Sequence, residues 1–223
     1  MPALDRDGDV FVLDLGDTEN RFHPDWLAAV ARLLDEVGQT GGHKALVIAA
    51  TGKFFSNGLD LDWLSSHSDE ATGYVRTVHE LFAWILEAPL FTVAALQGHT
   101  FAAGAMLSLA CDVRVMRADR GFWCLPEADI GIPFTPGMSA LIQARLTPQA
   151  AHEAMTTGRR YGGHDALSAA IVDRIAEEEQ VRKDAVEIAR GQAAKAGPTL
   201  ATIKTRMYAP VLATLRELDI PFG

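Results

Sequence analysis

Glu127 sits alone in an apolar stretch. The run Phe122-Trp123-Cys124-Leu125-Pro126-Glu127-Ala128-Asp129-Ile130-Gly131-Ile132-Pro133-Phe134 surrounds this carboxylate with largely apolar residues. An isolated carboxylate in such surroundings is costly to ionise, so its pKa rises toward neutrality. A group titrating there suits general acid/base chemistry near pH 7. Asp129, two residues on, reads equally well as a solvated loop charge.

Two other segments offer backbone chemistry. Thr51-Gly52-Lys53-Phe54-Phe55-Ser56-Asn57-Gly58-Leu59-Asp60-Leu61 directly follows an apolar run. Ser56, Asn57 and Gly58 favour a turn whose amides no strand ladder uses. Free amides between a strand and a helix form an anion-binding concavity, although the same residues also make a plain connecting loop. A P-loop is excluded, because Val47 stands where its first glycine belongs and Phe54 where it needs Ser or Thr. The second segment, Ala94-Ala95-Leu96-Gln97-Gly98-His99-Thr100-Phe101-Ala102-Ala103-Gly104-Ala105-Met106-Leu107, runs from a strand through small residues into a helix ending near Cys111-Asp112. Ala102, Ala103 and Gly104 leave room for a ligand to touch the backbone, or for tight strand–helix packing.

The elements that must carry these segments alternate. Apolar runs at residues 10–15, 45–50, 92–96 and 113–116 read as strands, mostly continuous, as in a sheet covered on both faces. Trp26, Leu27, Val30, Leu33, Leu34 and Val37 repeat at helical spacing, with Pro24 suited to the first turn and Gly38 to the C-terminal cap. Val75, Val78, Leu81, Phe82, Ile85 and Leu86 share a second helical face that Pro89 ends. Thr147-Pro148 opens a helix that Gly158 closes. From about residue 180 the pattern is helical twice, broken at Gly197-Pro198, and the Glu177-Glu178-Glu179 run reads as a solvated turn. Strands separated by helices predict an α/β core over residues 1–175, and the strandless remainder predicts a helical region over 176–223. No internal repeat, low-complexity tract or flexible linker stands out.

Composition narrows the function classes. The chain has 223 residues, enough to bury a core without disulfides or a structural metal. Its net charge of -9 repels a phosphate backbone, so a nucleic-acid partner is not expected. No apolar run approaches a membrane span, the start shows no export signal, and Ile220-Pro221-Phe222-Gly223 carries no targeting tripeptide. Cys111 and Cys124 are too far apart for a CxxC pair and fit a reducing compartment, so a cytoplasmic location is expected. The histidines, His79, His99 and His152 among them, lack metal-ligand spacing, and no metal is expected. Trp63 and Trp123 read as core filling rather than as the wall of a ligand tunnel. Neither a G-x-S-x-G elbow nor a dinucleotide fingerprint occurs.

Taken together, Phe55-Ser56-Asn57-Gly58-Leu59-Asp60-Leu61, the stretch from Gly98 to Gly104 with Cys111-Asp112 beyond, and Pro126-Glu127-Ala128-Asp129-Ile130-Gly131 resemble the enoyl-CoA hydratase/isomerase (crotonase) family. The resemblance runs from about Val10 to about Ile175, and the order and spacing of the three phrases make it specific. It implies a ββα superhelical fold and an acyl-CoA thioester substrate, with coenzyme A carried by the substrate and no separate cofactor. It also implies that the amides of Asn57 and Ala103 face the thioester oxygen. Ser56, Gly58, Leu59, Asp60 and Gly104 would line the substrate, and Arg21 and Lys53 are candidates for the CoA phosphates. Ala103 replaces a glycine frequent at this turn, which is tolerable while its φ stays negative.

The family's hydratases pair two glutamates, but here the first position is Met106 and only Glu127 remains. One base can move a proton from C2 to C4 of a dienolate, so the pattern resembles the Δ3,Δ2-enoyl-CoA isomerases. Dienoyl-CoA isomerases place an aspartate eight residues after the glutamate, where this chain has Thr135. Leu15-Gly16-Asp17-Thr18-Glu19-Asn20-Arg21-Phe22 and Met116-Arg117-Ala118-Asp119-Arg120-Gly121 resemble plant-type members of that isomerase group. The alternatives are a single-glutamate hydratase, hydrolase or decarboxylase, and a non-catalytic acyl-CoA-binding subunit. The family implies a homotrimer or dimer of trimers, although the last helices of this chain are short.

Overall fold

The computed structural model describes residues 1–217, so the C-terminal tetrapeptide read above for targeting lies outside the described residues. Strands β1 (Ala3–Asp7) and β2 (Val10–Asp14) form a hairpin, followed by α1 (Pro24–Gln39). Three successive strand–strand–helix turns come next. The first is β3 (Ala45–Ala49), β4 (Phe54–Ser56), α2 (Leu61–Ser66) and α3 (Ala71–Glu87). The second is β5 (Phe91–Leu96), β6 (His99–Phe101) and α4 (Ala103–Ala110). The third is β7 (Val113–Arg117), β8 (Trp123–Cys124), α5 (Glu127–Ile130), α6 (Pro136–Arg145), α7 (Pro148–Thr157) and α8 (Gly163–Ser168). The chain then runs through β9 (Arg174–Ala176), α9 (Glu178–Arg190), α10 (Pro198–Met207) and α11 (Ala209–Leu215).

Each turn gives its first strand to one sheet and its second to another. The large sheet has the order β1-β2-β3-β5-β7-β9, parallel apart from the hairpin, and the small parallel sheet has the order β4-β6-β8. This is the expected ββα superhelix. The turns repeat in space although no repeat is visible in the sequence.

The continuous apolar strands are explained by two covered faces. On β3, Ala45, Val47 and Ala49 face Val181, Ala185 and Ala189 of α9, while Leu46 and Ile48 face the main core with α1 and α3. Alternate side chains thus enter different cores, as the period of two requires.

Several expectations need correction. β9 lies where only helix was expected; it pairs with β7, and the division placed after residue 175 falls inside it. The Glu177-Glu178-Glu179 run is exposed, as expected, but it opens α9, with Glu178 and Glu179 in the first turn where acidic side chains complement the helix dipole. Helix α1 continues past Gly38 and is capped by Thr40. The strands of the small sheet have only two or three residues, too short for a periodic signal. Gly158 does cap α7 in the left-handed conformation, with φ 61°.

The terminal helices fold back on their own chain. Helix α11 packs against α6 and α3. Buried Lys204 on α10 reaches Asp112 at 3.0 Å and donates to the carbonyls of Ile85 and Leu90. No described helix is long and apolar enough to cross a membrane.

Candidate active site

The small sheet aims its three strand ends at one cleft. Beyond β4 come Asn57 and Leu59, beyond β6 come Ala102 and Ala103, and beyond β8 come Pro126 and Glu127. All six line a cavity of about 210 Å³, closed by Leu61, Phe101, Met106, Ile130, Ile132, Pro133 and Met138. Glu127 is the only ionisable residue of that lining.

The first turn is held by hydrogen bonds that account for almost every amide. Asn20, buried and at φ 48°, donates through Nδ2 to the carbonyls of Phe54 and Phe55. Its own carbonyl accepts from Ser56 Oγ at 2.8 Å. The Asn57 amide donates to Glu19 O at 2.8 Å, the Gly58 amide to Ser56 Oγ at 3.1 Å, and the Asp60 amide to the Tyr74 hydroxyl at 2.9 Å. That leaves one. The Leu59 amide, between them, has no partner among the described residues. Asn57 therefore does not present the amide expected of it; its N–H is spent on holding the turn, and Leu59 is the residue with a donor to offer.

The second turn matches its expectation more closely. Ala103 begins α4 and keeps φ out of the positive range; its amide has no partner among the described residues, and α4 has no side-chain cap. The strain falls on Ala102, at φ 50° and ψ −126°, whose amide is tied to Cys124 O at 3.0 Å. The far end of α4 is clamped by Arg145, which donates to the carbonyls of Leu109, Cys111 and Asp112.

The two turns touch. A Cβ on Gly104 would lie 2.6 Å from Ser56 Cβ, so the small residue at 104 makes room for Ser56 rather than for a ligand. Ser56 and Gly104 thus stand behind the cleft. Gly58, at φ 81°, lies against the Ala103 nitrogen.

Glu127 is 7% exposed, and its Oε2 is buried without a hydrogen-bond partner. No cation pairs with it among the described residues. Burial pushes its carboxyl up to about 7, opposed only by its own amide. Met106 lines the same cleft, whereas Thr135 is buried elsewhere, capping α6 and bonded to His79.

The two cations assigned to the CoA phosphates stand elsewhere. Arg21 is held by Glu19 at 2.6 Å and Asp62 at 2.7 Å, in a shallow pocket with Asp60, so its charge is already neutralised. Asp60 itself caps α2 through Trp63 N. Lys53 lies at the opposite end of β4 from the cleft. Trp123 is fully buried, with its indole on Ser108 Oγ, and Trp63 stacks on His67; neither lines the cleft. Sequence reasoning missed Asn20 and Tyr74, whose only signal is a polar group reaching a turn far along the chain.

A family model described as enoyl-CoA hydratase/isomerase matches residues 7–219. The chain belongs to the enoyl-CoA hydratase/isomerase family. Within this family it is similar to two Arabidopsis thaliana proteins. One, named enoyl-CoA delta isomerase 2, peroxisomal, is 37% identical over 98% of this chain and 96% of its own length. The other, enoyl-CoA delta isomerase 3, is 36% identical over the same shares. A solved apo structure of an enoyl-CoA isomerase from Mycobacterium tuberculosis superposes with a TM-score of 0.88 at 29% identity, covering 96% of this chain and 94% of that one. The enzyme family and the α/β crotonase-like fold are thus those that the three sequence phrases indicated.

Proposed function

We propose that this protein is a Δ3,Δ2-enoyl-CoA isomerase working through an enolate. The observation that carries the reading is Glu127, the single ionisable group in a cleft that two unpartnered amides also face, with Met106 where a second carboxylate would stand. Relatives named enoyl-CoA delta isomerases, matched over nearly their full length, support it.

In this reading the thioester oxygen accepts hydrogen bonds from the amides of Leu59 and Ala103. The Glu127 carboxylate takes a proton from C2, the electron pair moves onto the oxygen, and the 3,4 double bond joins the resulting dienolate. Glu127 then returns its proton at C4, the charge flows back from the oxygen, and the 2-enoyl thioester is left. Each amide donor of this kind is worth about 3 kcal/mol in the transition state. A positioned base adds a factor of roughly 100–10,000. The cycle is redox-neutral and uses no group beyond the CoA of the substrate.

Homotrimeric or hexameric assembly is part of the proposal, supported by the family resemblance and checked by light scattering. The two buried free thiols fit a reducing compartment, which we read as the cytoplasm; "peroxisomal" in a relative's name is a statement about that relative.

The test is to mix the protein with a 3-enoyl-CoA and follow the absorbance of the conjugated thioester. The expected result is turnover with unchanged product mass, lost in Glu127→Gln. A product heavier by one water would point to a hydratase, and free acid to a hydrolase. Binding without deuterium exchange at C2 would mark a non-catalytic subunit.

A further inference from the structure

The three strands that end in the cleft begin at a second cavity. Lys53 precedes β4, Gln97 and His99 lie at the start of β6, and Arg120 lies just ahead of β8; these residues line about 290 Å³. One three-residue strand separates this cavity from the cleft, on the order of 10 Å. Its frame is stiff. The His99 amide donates to Lys53 O at 2.9 Å, and a Cβ on Gly98 would lie 2.2 Å from that same oxygen.

The charge around this cavity is unbalanced. Arg117 is satisfied by Asp119 and Glu178, each at 2.6 Å. Lys53, Arg120 and Arg160 make no contact ion pair among the described residues, although Asp119 acts on Arg120 from a distance. All three act on His99, whose imidazole is held below the usual histidine range by burial first and by these cations next. In a chain of net charge -9, three cations acting on one ring are an exception, although Glu178 also lines the cavity, paired with Arg117. Hydrogen bonding is incomplete as well. Gln97 Nε2 donates to Phe54 O at 3.0 Å, which orients the amide, yet Gln97 Oε1 and His99 Nδ1 are buried without partners.

We propose that this cavity binds a small phosphate-bearing anion at a site separate from the acyl cleft. Several unpaired cations favour a multiply charged anion over a single carboxylate. A phosphate also offers several acceptor oxygens that cations on different strands can share. The phosphate is free or belongs to a larger molecule, and the two sources share this chemistry.

The test uses the full chain titrated with inorganic phosphate and with ADP, by calorimetry and thermal unfolding, at ionic strength matched with sodium chloride. The expected result is saturable binding of at least one of the two, with a rise in Tm. In the variant carrying Lys53→Gln and Arg120→Gln, affinity should fall at least roughly tenfold, because two charge-assisted contacts are lost. Both residues are exposed, so the variant should unfold at the parent's temperature without ligand. A response no larger than that to chloride would overturn the proposal. So would saturable binding that the variant leaves unchanged, which would place the anion elsewhere. A variant that instead loses oligomer mass in phosphate-free buffer would also overturn it, since the cations would then be holding an acidic face of another copy.

Discussion

A Cβ placed on Gly58 would stand 2.8 Å from the backbone nitrogen of Ala103 and 2.9 Å from Ala102 Cβ. The two turns therefore approach as closely as a glycine permits, and the amides of Leu59 and Ala103 share one cleft because of it. In Gly58→Ala, backbone rather than a flexible side chain must yield, and φ 81° is strained for alanine. Displacing one donor should lower kcat roughly a hundredfold, with a stability loss of about 1 kcal/mol or more. Steady-state kinetics and urea unfolding check both.

The pH dependence follows from Glu127. As the base it must be ionised in the free enzyme, so kcat/KM should fall as pH drops through about 7. Stability moves the other way. The folded carboxyl keeps its proton up to about 7, against 4.5 for an ordinary glutamate, so the folded state binds the extra proton between those values. Stability from this group is full below 4.5 and declines as pH rises toward 7. Glu127→Gln should abolish turnover and be more stable than the parent at pH 8, with the difference shrinking on acidification; a set of Tm values over that range decides.

Met106 lines the cleft with Glu127 and is 1% exposed. Met106→Glu would restore the second carboxylate of the family's hydratases. With a 2-enoyl-CoA it should yield a product heavier by one water, detected by mass spectrometry. The cost is a second acid in an apolar space, so the variant should lose about 2 kcal/mol or more in denaturant unfolding at neutral pH.

Lys204 fastens the terminal helices to the core, with its ammonium 3.0 Å from Asp112 and on two backbone carbonyls. Lys204→Met leaves Asp112 without its buried counter-ion, although Thr92 still donates to it. The expected loss is about 3 kcal/mol. Lys204→Met with Asp112→Asn should recover part of it, which a double-mutant cycle in urea measures.

What the sequence determined by itself is local. Continuous apolar runs made β2, β3, β5 and β7 legible, helical spacing did the same for α1 and α3, and the apolar surroundings of Glu127 announced a raised pKa. Ala103 and Glu127, both singled out in the sequence, line one cleft. The rest was decided by contacts far apart in the chain. Asn57 and Leu59 lie two residues apart in one segment, and only the carbonyl of Glu19, brought across by the Asn20 clamp, consumes one amide and leaves the other free. Lys53 precedes the turn by four residues, but β4 runs extended between them and carries the charge to the other end of the sheet. The small sheet was invisible because strands of two or three residues have no periodicity, and its pairing joins residues far apart in the chain. A sequence fixes which groups a turn contains, whereas long-range hydrogen bonds choose which of them stay unpaired, and chemistry needs the unpaired ones.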